Sequence, residues 1–383
     1  MDLQNPSRRD LFAATGRGLL AASSAACLAQ AAATPATAAE AKDERRGHQR
    51  LSLKRLHTWE AMRYGMFIHF GMSTFVGQEL PDGKTPPIAY APDRLDVDQW
   101  ISVARDAGMQ YAVLTAKHVA GHCLWPSKHT QYTVANSSNT ADVCEQFVKA
   151  CEKRGVRAGF YYCSWDNHNR FGSRTMSDPG VTWQGWSWKQ YNFADAEAKE
   201  PPDSTSQAFP YTTSVYQNFQ TAQVRELLTQ YGPIAEVWID IPGVLGRSYR
   251  TFHYHDIARL QPEAVIMMNS GISTGETYDV DYAWPSDLIA IERRVPPGTG
   301  HATWRTIEGK EYYMPGEVCD PIGKHWFFVP DDVPRPDNEL AEQFEQCRAR
   351  NVNFLLDVPP DKHGLIPDIH VQALKRLRAN VKL

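Results

Sequence analysis

The chain has 383 residues, 42% of them hydrophobic and 22% charged, with a formal net charge of -4 and a pI of about 6.4. These values are ordinary for a soluble globular protein and exclude the strongly basic character of nucleic-acid-binding proteins, so we predict no nucleic-acid partner. The length suffices for an α/β barrel of roughly 250 residues. The 11 Trp, 16 Tyr and 15 Phe fit either an aromatic-rich core or a sugar-binding cleft.

The N-terminal segment carries the pattern of an export signal. Arg8 and Arg9 form a twin-arginine pair, a weakly apolar stretch follows at residues 18–33, and small residues near its end offer cleavage sites. This stretch is too short and too rich in alanine for a membrane span, which needs about 20 strongly apolar residues. We therefore predict a bacterial protein that is periplasmic or secreted. Its predicted parts are a signal peptide at 1–39, a charged linker at 40–49 and a barrel domain at 50–383.

Cysteine and histidine spacing gives little support for a metal site. Cys27 would be removed with the signal, and the six other cysteines show no C-x-x-C spacing. His118 and His122 lack the Glu of an H-E-x-x-H helix, and His253 and His255 have no third ligand beside them. We predict no metal and no cofactor, and keep a metal-dependent hydrolase as a distant alternative that a chelator would reveal.

From residue 50 onward, short apolar runs alternate with amphipathic segments, a pattern typical of repeated βα units. The predicted strands, apolar enough to be buried on both faces, are residues 64–71, 111–118, 156–165, 235–241, 264–270, 288–292 and 352–358. The predicted helices are residues 97–107, 141–153, 216–231, 249–260, 338–350 and 369–381. No glycine-rich dinucleotide loop follows an early strand, so the pattern favours a (β/α)8-type, TIM-like barrel. We expect the catalytic barrel alone, without a C-terminal β-sandwich.

Two long polar segments, residues 170–210 and 296–336, interrupt this alternation. Long loops of this kind are commonly functional lids or disordered segments. Their tryptophans favour ordered lids over the site: Trp183, Trp186, Trp188, Trp304 and Trp326.

Polar and aromatic side chains follow the first four predicted strands at their C-terminal ends. His69 lies near the end of the first, His118 ends the second, Trp165 ends the third with Asp166 directly after it, and Asp240 lies near the end of the fourth. Because the carboxyl ends of parallel strands meet at one end of a barrel, these side chains are expected to lie together. The sequence therefore predicts an active site at that end.

Five segments carry a resemblance to a known family. Residues 67–71 read FIHFG, residues 112–118 read AVLTAKH and residues 238–240 read WID. Near the C-terminus, residues 353–360 read NFLLDVPP and residues 364–367 read GLIP. Together these segments resemble the alpha-L-fucosidases of glycoside hydrolase family 29, over nearly all of the predicted barrel.

The resemblance implies retaining hydrolysis, in which one carboxylate attacks the sugar and a second carboxyl group acts as acid and base. It gives the role of nucleophile to Asp240. Residues 316–320, reading GEVCD, are similar to the segment that carries the acid/base, which implies Glu317 in that role. The alternative is Glu292, which begins the ERR sequence of residues 292–294.

The substrate-binding residues that the resemblance implies are His69, His118, Trp165, Asp166 and Arg294, or its neighbour Arg293. Strand alternation adds Trp238, which lies two residues before Asp240 and points to the same face. The implied partner is an oligosaccharide or glycan ending in L-fucose or a related sugar such as L-galactose. The oligomeric state is left open.

Three positions depart from the family pattern. Val119 stands where a second histidine usually follows His118, residues 120–122 read AGH in place of DGF, and Ile241 replaces the glycine after the nucleophile. Loss of a hydroxyl-binding histidine is expected to change how the sugar is recognised. A barrel of the same family with altered specificity, or one that binds glycans without catalysis, is therefore the alternative.

Overall fold

A computed structural model describes residues 44–169 and 214–382 of the chain, which form a barrel of eight parallel strands. The barrel strands are β1 (Tyr64–Ile68), β2 (Tyr111–Lys117), β3 (Arg157–Cys163), β4 (Glu236–Asp240), β5 (Val265–Met268), β6 (Ile289–Glu292), β9 (Gly316–Pro321) and β10 (Asn353–Asp357). Their order around the barrel is β5-β4-β3-β2-β1-β10-β9-β6. A separate antiparallel hairpin is formed by β7 (Trp304–Ile307) and β8 (Lys310–Tyr313).

The barrel is nearly closed, with its seam between β5 and β6. The Asp287 N–H donates to the Ile266 carbonyl at 2.8 Å, and the Asp287 carboxylate accepts from the Ile266 N–H at 2.8 Å. The Ser286 hydroxyl accepts from the Met268 N–H at 3.1 Å. Ser286 and Asp287, just ahead of β6, thus provide hydrogen-bond partners for backbone groups of β5. These bonds take the place of a regular hydrogen-bond ladder between β5 and β6.

Helices follow most strands and cover the outside of the barrel. They are α1 (Leu53–Glu60), α2 (Met72–Val76), α3 (Val97–Asp106), α4 (Val143–Arg154), α5 (Ser214–Gln230), α6 (Arg247–Leu260), α7 (Val280–Ala283), α8 (Asp337–Ala349) and α9 (Asp368–Asn380). Four of the helices begin at side-chain caps. In α3 and α4, Asp96 accepts from the Gln99 N–H and Asp142 from the Glu145 N–H, each at 2.9 Å. Among the described residues, no helix is long and apolar enough to cross a membrane.

Strand alternation divides the core into two layers. Buried residues such as Phe67, Tyr161 and Trp238 pack together inside the barrel. Their strand neighbours, such as Ile68 and Ile239, pack outward against the helices. Because successive side chains point to opposite faces, the sequence register decides which residues reach the barrel interior.

The predicted barrel is confirmed, and each of the seven predicted strands corresponds to an observed one within three residues at either end. The prediction for residues 296–336 is wrong, because this segment contains the β7–β8 hairpin and the barrel strand β9. Glu317 and Asp320 interrupt the apolar run by which a buried strand is recognised, and the barrel supplies partners for both. Residues 170–210, predicted as a lid, lie outside the described residues.

Residues 46–49, which fall in the predicted linker, lie along the hairpin. The Gly47 N–H donates to the Glu311 carbonyl at 2.9 Å, and the Gln49 side chain bonds to the backbone of Tyr313 at 2.9 and 3.3 Å. This segment therefore belongs to the compact unit that begins at Glu44. The division of the chain into signal peptide, linker and barrel stays a prediction.

Candidate active site

A cavity of about 390 Å³ opens at the C-terminal end of the barrel, where the sequence predicts a site. Strands β1, β3, β4, β6 and β9 contribute side chains to it, and so do the segments that follow β1, β2, β4, β5, β6 and β9. The lining residues are Phe67, His69, Glu79, Leu80, His118, Val119, Tyr161, Trp238, Asp240, Ile241, Asn269, Gly271, Ile272, Tyr282, Glu292, Arg293, Cys319 and Trp326.

Asp240 ends β4, and three donors hold its half-buried carboxylate. The Tyr161 hydroxyl donates to Oδ2 at 2.6 Å, the Asn269 amide donates to Oδ1 at 2.8 Å, and the Ile241 backbone N–H also contributes. Burial raises the pKa of Asp240 above its ordinary value, while these hydrogen bonds oppose the rise. The carboxylate is therefore fixed in orientation and partly stabilised in its charged form.

Glu292 ends β6 on the same cavity. The Asn269 amide nitrogen that donates to Asp240 also lies 3.3 Å from Glu292 Oε2, so one amide joins the two carboxyl groups. Burial, followed by the charge of Asp240, raises the pKa of Glu292 to about 7. Two carboxyl groups with different hydrogen bonding thus face one cavity, an arrangement that suits a division between ionised and protonated forms.

His69 and His118 both line the cavity, as predicted. His69 Nδ1 lies 2.8 Å from Asp357 Oδ1, and the His69 backbone N–H donates to the same oxygen at 3.2 Å. Burial lowers the pKa of His69 to about 3 and that of His118 well below its ordinary value. Both imidazoles are therefore neutral at physiological pH and suited to hydrogen bonding with uncharged groups. His118 also stacks on Tyr161, with ring centroids 5.7 Å apart.

Glu317 does not reach the cavity, which contradicts the placement expected of an acid/base. It is the second residue of β9, opposite Asn353 at the start of β10, and its side chain lies deep inside the barrel. Tyr111 donates to its Oε1 at 2.6 Å and Trp238 Nε1 donates to its Oε2 at 3.1 Å. Trp238 itself lines the cavity as predicted, so Glu317 lies behind the cavity wall.

Trp165 and Asp166 also lie outside the cavity lining, contrary to expectation. Asp166 pairs with Lys117 at 2.7 Å, and both side chains are fully buried. The Asp166 carboxylate also accepts the backbone N–H of His168 at 3.1 Å and that of Asn169 at 2.6 Å. β3 ends at Cys163, so these two residues lie just before a turn at residues 167–169, which the Asp166 carboxylate stabilises.

Arg294 is exposed and lies outside the cavity lining, whereas its neighbour Arg293 lines it. The Arg293 guanidinium donates to the Lys324 carbonyl at 3.1 Å and lies 4.9 Å from the ring centroid of Trp326. Of the two arginines considered from the sequence, the structure therefore brings Arg293 to the site. A φ of 54° at Arg293 accounts for the difference from regular strand alternation.

Sequence reasoning did not identify Tyr161 or Asn269 as site residues, although both contact Asp240. Asn269 directly follows the apolar strand β5, which is the same signal that identified the residues after β1 to β4. Tyr161 lies inside an apolar run and carries no such signal. Among residues 44–169 and 214–382, no three His, Cys, Asp or Glu side chains are grouped so that they could hold a metal ion.

Comparisons with known proteins agree with this fold. The family model for alpha-L-fucosidase matches residues 87–382. Alpha-L-fucosidase 1 of Arabidopsis thaliana is 29% identical over 330 residues, which cover 83% of this chain and 57% of the plant protein. The chain thus spans somewhat more than half the length of the curated relatives it matches first.

Two solved structures are similar as well. Alpha-L-fucosidase isoenzyme 1 from Paenibacillus thiaminolyticus has a TM-score of 0.64 and 25% identity, covering 85% of this chain and 75% of that one. Alpha-L-fucosidase AlfC from Lactobacillus casei, with alpha-L-fucose bound, has a TM-score of 0.64 and 22% identity, covering 85% of this chain and 97% of that one. The latter supports the fold alone. With the family model matching most of its length, the chain belongs to the alpha-L-fucosidase family.

Proposed function

We propose that the chain is an exo-acting retaining glycoside hydrolase that releases terminal L-fucose from glycans. The observation that carries the proposal is the contact of Asn269 with both Asp240 and Glu292 at 2.8 and 3.3 Å. The nearer carboxyl oxygens cannot be farther apart than these two distances together. The two carboxyl groups are therefore close together, as a retaining mechanism requires; its two carboxyl groups lie roughly 5–5.5 Å apart, against about 6.5–9.5 Å in inverting enzymes.

Asp240 is the proposed nucleophile. Its carboxylate attacks the anomeric carbon, and the bond to the leaving-group oxygen breaks as a glycosyl ester forms. The three donors on Asp240 fix the attacking oxygens. Water then hydrolyses the ester, which releases the sugar with its original anomeric configuration.

Glu292 is the proposed acid and base, in place of Glu317. In the first step its proton goes to the leaving-group oxygen, and a pKa near 7 keeps that proton available at neutral pH. Once Asp240 is esterified, its negative charge is gone and the pKa of Glu292 falls. The ionised Glu292 then takes a proton from the attacking water, so the same residue serves both steps.

The sugar hydroxyl groups are the proposed ligands of His69 and His118. The neutral imidazoles of these residues lie on the β1 and β2 side of Asp240. Trp238 and Trp326 supply flat aromatic walls, on which the C–H faces of a sugar can pack.

A trapping experiment tests this function. We expect hydrolysis of aryl α-L-fucosides with retention of configuration, and we expect a 2-fluoro-fucosyl fluoride to label the protein at Asp240, as read by peptide mass spectrometry. A chelator should leave the activity unchanged. Sugar binding without turnover or labelling would instead support a glycan-binding barrel.

We infer that residues 1–39 are a twin-arginine signal and that the mature protein is periplasmic or secreted. The Arg8-Arg9 pair and the following alanine-rich stretch support this proposal. Replacing both arginines by lysine should leave the precursor in the cytoplasm. The matched control is Arg17→Lys, which makes the same change outside the pair and should be exported normally. Normal export of the double variant would contradict the proposal.

A further inference from the structure

Ile241, the residue after Asp240, has an unusual backbone conformation. Its φ and ψ are both 48°, in the left-handed region that β-branched residues rarely adopt, and it precedes Pro242, a position that favours extended backbone. Among residues 44–169 and 214–382 it is the one β-branched residue with a positive φ. Glycine would adopt this turn without strain. Ile241 therefore occupies a backbone conformation that is unfavourable for isoleucine.

The left-handed turn brings the Ile241 side chain to the cavity. In β4, Ile239 packs outward against the helices and Asp240 faces inward, so regular alternation would turn residue 241 outward. Ile241 instead packs with the apolar residues inside the barrel, is 2% exposed and lines the cavity. Two consecutive residues thus face the same space.

A left-handed backbone conformation also follows Glu292, the second carboxyl group of the site. Ile291 packs outward, Glu292 faces the cavity, and Arg293, with a φ of 54°, lines the cavity as well. Left-handed turns after both strands therefore place an apolar side chain beside Asp240 and a cationic one beside Glu292. Strain repeated at two corresponding positions of one site points to a role in that site.

The segment that carries Ile241 has little freedom to move. Gly243 approaches Tyr282 so closely that an added Cβ would overlap the Tyr282 ring. Tyr282 also lines the cavity and is 7% exposed. Ile241 and Tyr282 both line the cavity, and the close approach of Gly243 to Tyr282 leaves this side of the cavity little room to widen for a larger sugar.

We propose that Ile241 is a specificity-determining residue that selects a 6-deoxy sugar, L-fucose, over its 6-hydroxylated counterpart, L-galactose. This inference rests on the proposed function. L-Fucose carries hydroxyl groups on C2, C3 and C4 and a methyl group on C5. With the hydroxyl groups directed to His69 and His118, the methyl group faces the apolar side chain beside Asp240. An added hydroxyl facing this side chain would lose its contact with water and gain no hydrogen bond from the isoleucine, which is unfavourable.

The experiment compares kcat/KM for 4-nitrophenyl α-L-fucoside and α-L-galactoside in wild type, Ile241→Gly and Ile241→Val. Ile241→Gly removes both the side chain and the backbone strain, so we expect the fucoside-to-galactoside ratio to fall by at least about tenfold. The ratio for Ile241→Val should lie between those of wild type and Ile241→Gly. The matched control is Val244→Ala, because Val244 is equally buried in the same segment but lies outside the cavity lining. It should lower the melting temperature and leave the ratio unchanged.

An unchanged ratio in folded Ile241→Gly would overturn the inference. If that variant fails to fold, Ile241→Val decides, and an unchanged ratio there has the same meaning. Affinities for free L-fucose and L-galactose, measured by calorimetry, separate this inference from the proposed function. A wild type that binds L-fucose preferentially without turnover, and loses the preference in Ile241→Gly, would support the inference while contradicting hydrolysis. Fucoside turnover in wild type, with the same sugar preference in Ile241→Gly, would support hydrolysis and contradict the inference.

Discussion

The barrel contains two pairs of carboxyl groups in contrasting surroundings. Asp240 and Glu292 lie at the C-terminal end, half-buried on the cavity and joined through Asn269. Glu236 and Glu317 lie deep in the barrel and are fully buried; burial, followed by the charge of Glu317, raises the pKa of Glu236.

The inner pair differs from the outer one in what stabilises it. Trp59 donates to Glu236 at 3.2 Å, and Tyr111 and Trp238 donate to Glu317 at 2.6 and 3.1 Å. Among the described residues, the groups bonded to this pair include no cation. Burial raises the pKa of both glutamates, so the pair retains a proton. Similar carboxyl groups thus face a cavity in the outer pair, where we propose that they act in hydrolysis, and lie away from the cavity in the inner pair, where they contribute to packing.

The largest expected effect comes from removing the proposed nucleophile, Asp240. Asp240→Ala should reduce kcat by at least about a thousandfold, because the covalent step is lost. Its melting temperature should change little, because relief of a partly desolvated charge offsets the loss of an acceptor for Tyr161 and Asn269. Steady-state kinetics and thermal unfolding of the purified variant measure both. Near-normal turnover in Asp240→Ala would leave this carboxylate with a structural role only.

Removal of the proposed acid, Glu292, should show that the outer pair takes part in hydrolysis and the inner pair does not. Glu292→Ala should lose about a hundredfold or more in kcat on substrates with poor leaving groups, with a smaller loss on activated aryl glycosides. Azide should restore turnover by attacking the glycosyl ester. Glu317→Ala is the matched comparison and should show no azide rescue. Rescue of Glu317→Ala but not of Glu292→Ala would return the acid role to Glu317.

The inner pair should matter mainly for stability. Glu317→Ala leaves a cavity and removes the acceptor for Tyr111 and Trp238, so we expect a loss of about 3–5 kcal/mol in the free energy of unfolding. Glu317→Gln preserves volume and one acceptor, and should cost about 1–2 kcal/mol. Chemical denaturation measures both values. Equal losses in the two variants would contradict the hydrogen-bonding role given to this carboxyl group.

The smallest effects concern pH. Because Glu292 must be protonated to act as an acid, kcat/KM should fall as pH rises through about 7. Asp240→Asn removes the negative charge that helps to raise the pKa of Glu292. We therefore expect the pH dependence of sugar affinity that Glu292 causes to shift to lower pH in that variant. A profile without a decline near pH 7 in the wild type would argue against Glu292.

The free energy of unfolding should also depend on pH. A carboxyl group whose pKa is higher in the folded state binds its proton more tightly there, so folding is less favourable as pH rises from about 4.5 toward 7. For the inner pair, this decline should be smaller in Glu317→Gln than in the wild type. Denaturation at pH 5 and pH 7.5 makes the comparison.

The sequence by itself determined the barrel and the position of its site. Seven strands stand out as short apolar runs because both faces of a parallel strand are buried. His69, His118 and Asp240 were identified because polar residues at the ends of such runs meet at one end of a barrel. β9 escaped detection because Glu317 and Asp320 interrupt its apolar pattern, although both have partners in the fold.

Only the tertiary structure decided which residues act together. We propose Glu292 as the acid in place of Glu317 because Glu292 ends its strand at the cavity, whereas Glu317 lies near the start of its strand. Similarity to a sequence motif does not show how far along a strand a residue lies. Asn269 joins two carboxyl groups from strands separated by the seam of the barrel. Ile241 and Arg293 face the cavity through backbone angles that reverse strand alternation. These properties arise from register and from contacts between distant segments, and no local pattern of residues specifies them.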